Sequence, residues 1–563
     1  MDLVTLSSVL KRESDFVVID TETNITDIYE DRYLMGIAVY VPGKAFYIPV
    51  GHSNFFEEAV NLQVPEDFFM GIKCPTIYHN AKFDLQVLSN AGIEVPTDQV
   101  WDTMLLAHFI NENEADKKSF FKGKAYNYSL EAMAKKYCSL NKATTTSAVM
   151  KKDWSNMPIV AMGRYGMQDA IVTAELFLAL KNMFNAEFSE SEGDPWVNFD
   201  RRFMLLLAKM EKVGLPVDLE MCAEMQDLSQ IRLDEIQAEL GFDPAKPSQL
   251  HPKLFDEPPW GFGLKPLSTT PGGKPQVNKA FLERTNHPVC GLLLEHSGLR
   301  KQVTSYFASY QRIGARSGRV HPSFKMHGTV TGRLSCENPN LQQVPRESKV
   351  KDVFWGEEGC DLVEIDYSNI EMRLAAVYSE QPELLEEFST REGDVHGRVA
   401  KALGITRQMA KTVNFLTIYG GGKKVLADKL RIKESAAAKI LSDYRKSYPE
   451  IFNCMAGAQR SAENNNGVIR FWSDRNRHFM SRSDCHKAFN SVIQGGSMEI
   501  LKRSMILLDD AGFDIRNQVH DAVWLNVEDR STIKQAEEIM EGWVFETFGL
   551  PFYVESKTLR SRK

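Results

Sequence analysis

Five residues in the first third of the chain have types and spacing that could hold metal ions. Asp20 and Glu22, in FVVIDTETN, stand two residues apart after the apolar run Phe16–Ile19. Strand alternation puts both carboxylates on one face, about 7 Å apart along the chain. Alone, D-x-E reads more simply as acids where a strand end meets solvent. Two further segments weigh against that. In HNAKFDLQVL, Asn80 is placed to cap a helix whose first turn carries Asp84. In YGMQD, Tyr165 and Asp169 fall at i and i+4, on one helical face. Hard oxygen ligands suit Mg²⁺ or Mn²⁺. Two such ions about 4 Å apart can activate a water and stabilise the leaving oxygen of a phosphodiester.

A second set lies in the last third. Asp366 ends the strand-like run Leu362–Asp366, and Glu371 follows inside a helix start, in LVEIDYSNIEMRLAA. In QVHDAVWLNV, which reads as an alternating apolar strand, His520 and Asp521 interrupt the pattern. A charge within such a strand costs several kcal/mol unless it is paired or metal-bound. Taken singly, each aspartate reads equally well as a salt-bridged core-edge residue. Between them, Arg407, Lys411, Phe415 and Tyr419 recur every fourth residue, with Gly420–Gly422 to end the helix. The stripe drifts only about 40° per step. Two cations and then two rings on one face suit a nucleotide, with the triphosphate on Arg and Lys and the rings by base and sugar. A solvated basic edge beside a half-buried aromatic edge is the plainer alternative for this helix alone.

The elements that must carry these groups fall into two parts. Strand-like runs Phe16–Ile19, Gly36–Tyr40 and Ala45–Val50 precede helix-like segments Asp84–Asn90, Met104–Phe109, Leu130–Tyr137 and Arg164–Leu180. They predict an α/β domain. The polar, acidic stretch Asn185–Asp194 reads as a connection. Beyond it, amphipathic patterns over Phe203–Val213 and Asp218–Leu240 predict long helices, and strands return near Leu362 and Gln518. A chain of 563 residues leads to about three or four domains. With 43% hydrophobic and 25% charged residues it is globular in composition. No run is long enough for a membrane helix, no secretory leader is evident, and eight scattered cysteines without a CxxC pair point to a reducing, cytoplasmic setting. A net charge of −8 excludes a uniformly basic coat but not a local basic cleft.

Ordered D-x-E, N-x3-D and Y-x3-D segments resemble the three motifs of DEDDy 3′–5′ exonucleases over about residues 1–185. The resemblance implies metal binding by Asp20, Glu22, Asp84 and Asp169, and a water-positioning role for Tyr165. D-Y-S-N-I-E-x-R, R-x3-K-x3-F-x3-Y-G and V-H-D are very similar to motifs A, B and C of family A (DNA polymerase I-like) DNA polymerases. LLLAKMEKVGLPVD (Leu205–Asp218), Gly318–Pro345, GDVHGRVA (Gly393–Ala400) and NSVIQGGSMEILK (Asn490–Lys502) agree over roughly residues 200–560. The implied architecture is an RNase H-like α/β exonuclease domain (1–190) and an α+β right-hand polymerase domain (191–563). Its thumb would take about 200–312, its palm 313–395 and 491–563, and its fingers 396–490.

The implied activity is template-directed DNA synthesis with 3′–5′ proofreading, by phosphoryl transfer at two Mg²⁺ ions per site, Mn²⁺ as substitute. Asp366, Asp521 and the Tyr367 carbonyl would hold the polymerase ions. Arg407, Lys411 and His396 would hold the phosphates, and Tyr419 would pack near the templating pair. Glu371 would block the ribose 2′-position, and Phe415 in place of Tyr implies poorer use of dideoxynucleotides. Arg333, Gln342, Gln343, Asn490, Gln494 and His520 are the implied DNA contacts, meeting acceptors common to every base pair. Arg312–Lys351 holds eight Lys/Arg and two Glu, a local net of +6 that favours phosphate contacts. The implied partners are primer–template DNA, dNTPs and replisome proteins (helicase/primase, single-strand binding protein), with the chain a monomer.

Three positions depart from the family pattern. Ala522 stands where motif C has Glu, removing a third acid. Asn369 replaces Gln, which implies a shortened minor-groove contact, and His486 replaces Arg. The chain starts at the exonuclease and its thumb is short, a compact plan like that of bacteriophage replicative polymerases. A single-subunit RNA polymerase is opposed by Glu371 and the exonuclease motifs. An inert DNA-binding scaffold is opposed by retention of all six principal acids. An exonuclease whose polymerase half has decayed through Ala522 is the third alternative, and comparing Asp366→Ala with Asp84→Ala separates the two activities.

Overall fold

The computed structural model describes residues 3–10, 14–24, 34–52, 61–115, 128–140, 157–188, 199–270, 272–345 and 349–561. The expected connection at Asn185–Asp194, and with it a boundary near residue 190, lies mostly outside them.

Val17, Val18 and Ile19 are fully buried and β-branched, which suits a strand covered on both faces. They begin β1 (Val17–Thr23). The five-stranded sheet runs β3 (Lys44–Pro49), β2 (Leu34–Val41), β1, β4 (Thr76–Tyr78), β5 (Val100–Asp102). β1 is antiparallel to β2 and parallel to β4. Helices Ala81–Asn90, Thr103–Ile110, Leu130–Cys138 and Ile159–Glu187 accompany it. One expectation changes here. Asp20 and Glu22 lie inside β1, paired with Ala38 and Gly36, rather than past its end. The apolar β2 carries the ladder on regardless of the acids. On its other side β1 pairs with β4 only at Val17 and Val18, so that edge is open further along.

The second sheet is antiparallel throughout, in the order Asp514–Val519, Ala522–Val527, Asp361–Tyr367, Val554–Ser561. Helices Ala488–Asp510 and Thr532–Phe548 pack together alongside it. Here the reading of Gln518–Val527 as one strand is corrected. Val519 pairs with Ala522, so His520 and Asp521 are the tip of a two-residue hairpin. His520 takes a φ of 55°, a left-handed conformation that turns demand and histidine tolerates. With neither Asn nor Gly at the tip, the usual hairpin signal is missing.

Helices Leu219–Leu240 and Pro288–Lys301 form a projecting pair. It has its own small core of Phe242, Leu254, Phe281 and Leu293. Helices Val395–Leu403, Arg407–Ile418, Lys423–Leu430, Glu434–Ser447 and Pro449–Asn464 form a second group.

Helix Arg201–Val213 joins the two sheets' surroundings. Its apolar face, Phe203, Leu206, Leu207 and Met210, lies in a core that runs through both parts. Its buried Glu211 accepts from Lys82, from the Gln86 amide at 2.9 Å and from the Phe324 N–H at 2.6 Å. All eight cysteines are free thiols. Among the described residues no helix is long and apolar enough to cross a membrane.

Candidate active sites

The first site gathers around the open edge of β1. Asp84 is 3% exposed and accepts from the Thr21 N–H at 2.9 Å and the Thr21 hydroxyl at 2.7 Å. Burial pushes its carboxyl up to about 7, and the bonds from Thr21 restrain the rise. A carboxylate so placed is set to be neutralised by a proton or a cation. Asn80 does not cap its helix as expected. It sits at a φ of 74° with no side-chain capping bond. Asp102 does that work, accepting from the N–H groups of Asn80 (3.0 Å), Ala81 (2.9 Å) and Met104 (2.8 Å). One buried acid thus holds the starts of two helices, a link no local pattern announces.

Glycines seat the helix that carries Tyr165 and Asp169. A Cβ at Gly166 would fall 3.0 Å from Glu22 Oε1, and one at Gly163 would fall 3.0 Å from the Tyr47 ring. Tyr47 also lies across Gly36, and its hydroxyl is 2.9 Å from His52 Nε2. Burial, then the charges of Glu22 and Asp20, push the Tyr47 phenol far above its ordinary value. Tyr47 and His52 therefore border the acids, and sequence reasoning missed both. Asp84 is tied to β1 through Thr21, and the helix of Tyr165 and Asp169 meets β1 where Gly166 abuts Glu22. Of the five expected residues, Asp20 and Tyr165 are the most open to solvent.

The second site is a cavity of about 840 Å³. Asp366, Tyr367, Glu371, Lys411, Phe415, Tyr419, His520, Asp521, Arg333, Gln342 and Gln343 line it. The hairpin brings Asp521 beside Asp366: the Tyr367 N–H donates to the Asp521 carbonyl at 3.3 Å. Asp366 pairs with Ala522 on one side and Glu555 on the other. Glu555 also lines the cavity and was not foreseen, since an isolated Glu in a terminal strand carries no signal. Acids opposed across strands repel unless a cation or donor sits between them. The Tyr367 hydroxyl turns away, to Ser504 and the Met540 carbonyl at 2.7 Å each, so only its main chain faces the site.

Glu371 is 4% exposed and takes the Tyr419 hydroxyl at 2.6 Å and the Arg333 guanidinium. Burial raises its carboxyl, while Arg333 and Tyr419 oppose the rise. On helix Arg407–Ile418 and its cap residue Tyr419, the Phe415 and Tyr419 rings stack at 6.3 Å and line the cavity with Lys411. Gly420, at a φ of 68°, donates to Thr417 and Gly421 to Leu416, which closes the helix. Arg407 lies outside the cavity lining, held by Asp394 at 2.8 Å. His396 is buried behind Phe415, ring centres 5.9 Å apart. Asn490 and Gln494 stand two turns and one turn before the cavity-lining Met498 on helix Ala488–Asp510.

The +6 segment is less available than its count implied. Arg319 is tied to Glu357, Lys325 to Glu337 and Lys351 to Glu364. Asn369 has a φ of 56°, which Asn bears better than Gln. His486 is exposed, with Nδ1 2.6 Å from the Ser483 carbonyl.

Residues 217–560 match the family model described as DNA polymerase family A. This chain belongs to that family. Residues 2–185 match the 3′–5′ exonuclease model. Among curated relatives, DNA polymerase I of Synechocystis sp. is 29% identical, covering 90% of this chain and 56% of its own length. DNA polymerase I of Borreliella burgdorferi is 26% identical over 98% of this chain and 62% of its own. The chain thus spans under two thirds of those relatives' length. DNA polymerase DpoZ of Vibrio phage phiVC8 is 26% identical, with 86% and 87% covered. The fold is that of the polymerase domain of M. smegmatis Pol1, solved with DNA primer–template and dNTP. That likeness has a TM-score of 0.81 at 22% identity, over 100% of this chain and 98% of that one. As a family A member with an exonuclease domain, the chain pairs an α/β unit with a mixed right-hand unit.

Proposed function

We propose that this chain is a DNA-dependent DNA polymerase that extends a primer 3′-end with dNTPs and trims errors through a DEDDy-type 3′–5′ exonuclease. The observation that carries the reading is one cavity with Asp366 and Asp521 on a single hairpin-braced wall, facing Lys411, Phe415 and Tyr419. Acids opposite a cation-and-ring stripe are the two halves a nucleotidyl transfer needs. The family match and the phage relative support a role in phage DNA replication. In this reading residues 1–190 trim and 191–563 polymerise, with thumb, palm and fingers divided as expected from sequence.

The donor sets fit hard divalent cations, although among the described residues no three His, Cys, Asp or Glu side chains are gathered at ligating distance. Mg²⁺ commonly uses one or two carboxylates, water and substrate phosphates rather than an all-protein cage. Asp366, Asp521 and the Tyr367 carbonyl would hold ions at the polymerase site, and Asp20, Glu22, Asp84 and Asp169 at the exonuclease site. Bound there, the cations supply the charge that acidifies a primer hydroxyl or water and stabilises the leaving oxygen. The chain does the rest. Arg407, Lys411 and His396 orient the triphosphate, Tyr419 backs the new pair, and Glu371 closes the ribose edge. Arg333, Gln342, Gln343, Asn490, Gln494 and His520 follow the minor groove. Tyr165 aligns the water for trimming. Replisome proteins and a monomeric state belong to the same reading.

Extension of a labelled primer with and without dNTPs tests it. Asp366→Ala is expected to lose extension and keep trimming, and Asp84→Ala the reverse. A folded variant that loses both defeats the two-site assignment.

A further inference from the structure

His396 is 5% exposed, and its ring bonds to a residue that the phosphate-binding stripe leaves out. Asn414 sits on the inward side of helix Arg407–Ile418, fully buried, and its amide nitrogen is 2.9 Å from His396 Nδ1. With the amide turned this way its N–H donates and Nδ1 accepts, while the Asn414 Oδ1 is buried without a hydrogen-bond partner among the described residues. A neutral imidazole has one proton, which then belongs on Nε2. His396 Nε2 is buried without a hydrogen-bond partner among the described residues. Three charged groups face the ring: Arg407 and Lys411 from the neighbouring helix, and Asp394 at the start of its own. Burial, then Arg407 and Lys411, lower His396 to about 4 against the opposing pull of Asp394, so the ring is neutral near pH 7. A neutral ring with the wrong tautomer would aim a lone pair at phosphate.

We propose that Asn414 is a positioning residue of the polymerase site: its amide fixes the His396 tautomer so that an Nε2–H, not a bare nitrogen, meets a phosphate oxygen of the incoming nucleoside triphosphate. This rests on the polymerase reading above. An amide does the task without pulling the ring toward imidazolium, as a carboxylate would. The triphosphate then gains a directed donor beside two fixed cations, and the departing pyrophosphate is not held by a third.

Steady-state primer extension by the full chain, with dNTP varied, tests this. Asn414→Ala is expected to raise KM for dNTP about tenfold, the worth of one such hydrogen bond, with kcat changed little. His396→Ala should raise KM similarly, and the double variant should be no worse than His396→Ala alone. Asn414→Asp should give a KM that climbs as pH rises through the imidazole range, while the native KM shows no imidazole titration there. An unchanged KM in Asn414→Ala, additive losses in the double variant, or an imidazole titration in the native KM overturns the inference. A ¹⁵N-histidine spectrum of the native chain should also show His396 as the Nε2–H tautomer, its signal identified by loss in a folded His396→Gln. An Nδ1–H tautomer overturns it too. If the native chain extends no primer, the polymerase reading itself fails, which these outcomes leave distinct.

Discussion

At the scale of single residues, burial decides what the acids can do. Glu371 and Asp84 are nearly inaccessible, and each is engaged by hydroxyl donors on its own wall. Glu371 also braces Tyr419 and Arg333, so under the proposed function it would shape the sugar pocket as well as narrow it. Glu371→Ala is expected to raise ribonucleotide incorporation relative to deoxynucleotide by on the order of 10²-fold, the scale of steric discrimination in a fitted pocket. Competitive rNTP/dNTP primer extension checks this. It should also lower kcat for dNTPs, because Tyr419 loses its anchor. Types and spacing showed Glu371 in sequence, but its two partners come from 38 and 48 residues away and could not be read locally.

At the scale of elements, the proposed trimming site depends on how one helix is seated on one sheet. A Cβ at Gly163 or Gly166 of helix Ile159–Glu187 would fall 3.0 Å from Tyr47 or Glu22, tight enough that the neighbour must give way. Gly166→Ala is expected to move Tyr165 and Asp169 by a few tenths of an ångström or more from β1. Loss of trimming should reach about tenfold or greater, given how steeply rates fall with misplacement. Primer extension should be unchanged, and parallel exonuclease and extension assays read the split. The periodic pattern revealed this helix, while the glycines' purpose emerged only with Tyr47 and Glu22 beside them. Likewise the V-H-D hairpin was invisible, because its turn is enforced by sheet pairing rather than by turn residues.

At the scale of the whole molecule, buried charges tie the two sheets' surroundings together. Asp200 accepts from Arg475 at 3.0 Å and Lys502 at 2.9 Å, and Lys502 also bonds Glu499 at 2.8 Å. Lys502→Met strips one cation from two buried acids. A loss of about 3–5 kcal/mol in urea unfolding is expected, as for other broken buried pairs. His478 bonds Glu112 at 2.9 Å and Glu187 at 3.3 Å, linking the second part to the first. Burial disfavours its charged form, but those two glutamates outweigh this and raise it to about 9. A histidine raised on folding stabilises fully below its unfolded value near 6.5, and that stabilisation is lost as pH climbs through about 9. Thermal melts of the native chain and His478→Gln should therefore differ at pH 6 and converge by about pH 10. A constant difference across that range would show the link to be steric rather than electrostatic.

The chemistry proposed for both sites was suggested by the sequence before any fold was known. Carboxylates, cations and rings announce hard-ion and phosphate binding by type, and periods of two and four residues assign them to strands and helices. The sequence pattern also predicted a mixed second part, its strand-like runs near Leu362 and Gln518 separated by a mostly helical insertion. Which acids are buried, which cations of the +6 segment are already spent on Glu337, Glu357 and Glu364, and which residues complete each site came only from the folded chain. Asn414, Asp102 and Glu555 act through partners 18, 22 and 189 positions distant. Burial and pairing are properties of long-range packing, and local composition carries no trace of them.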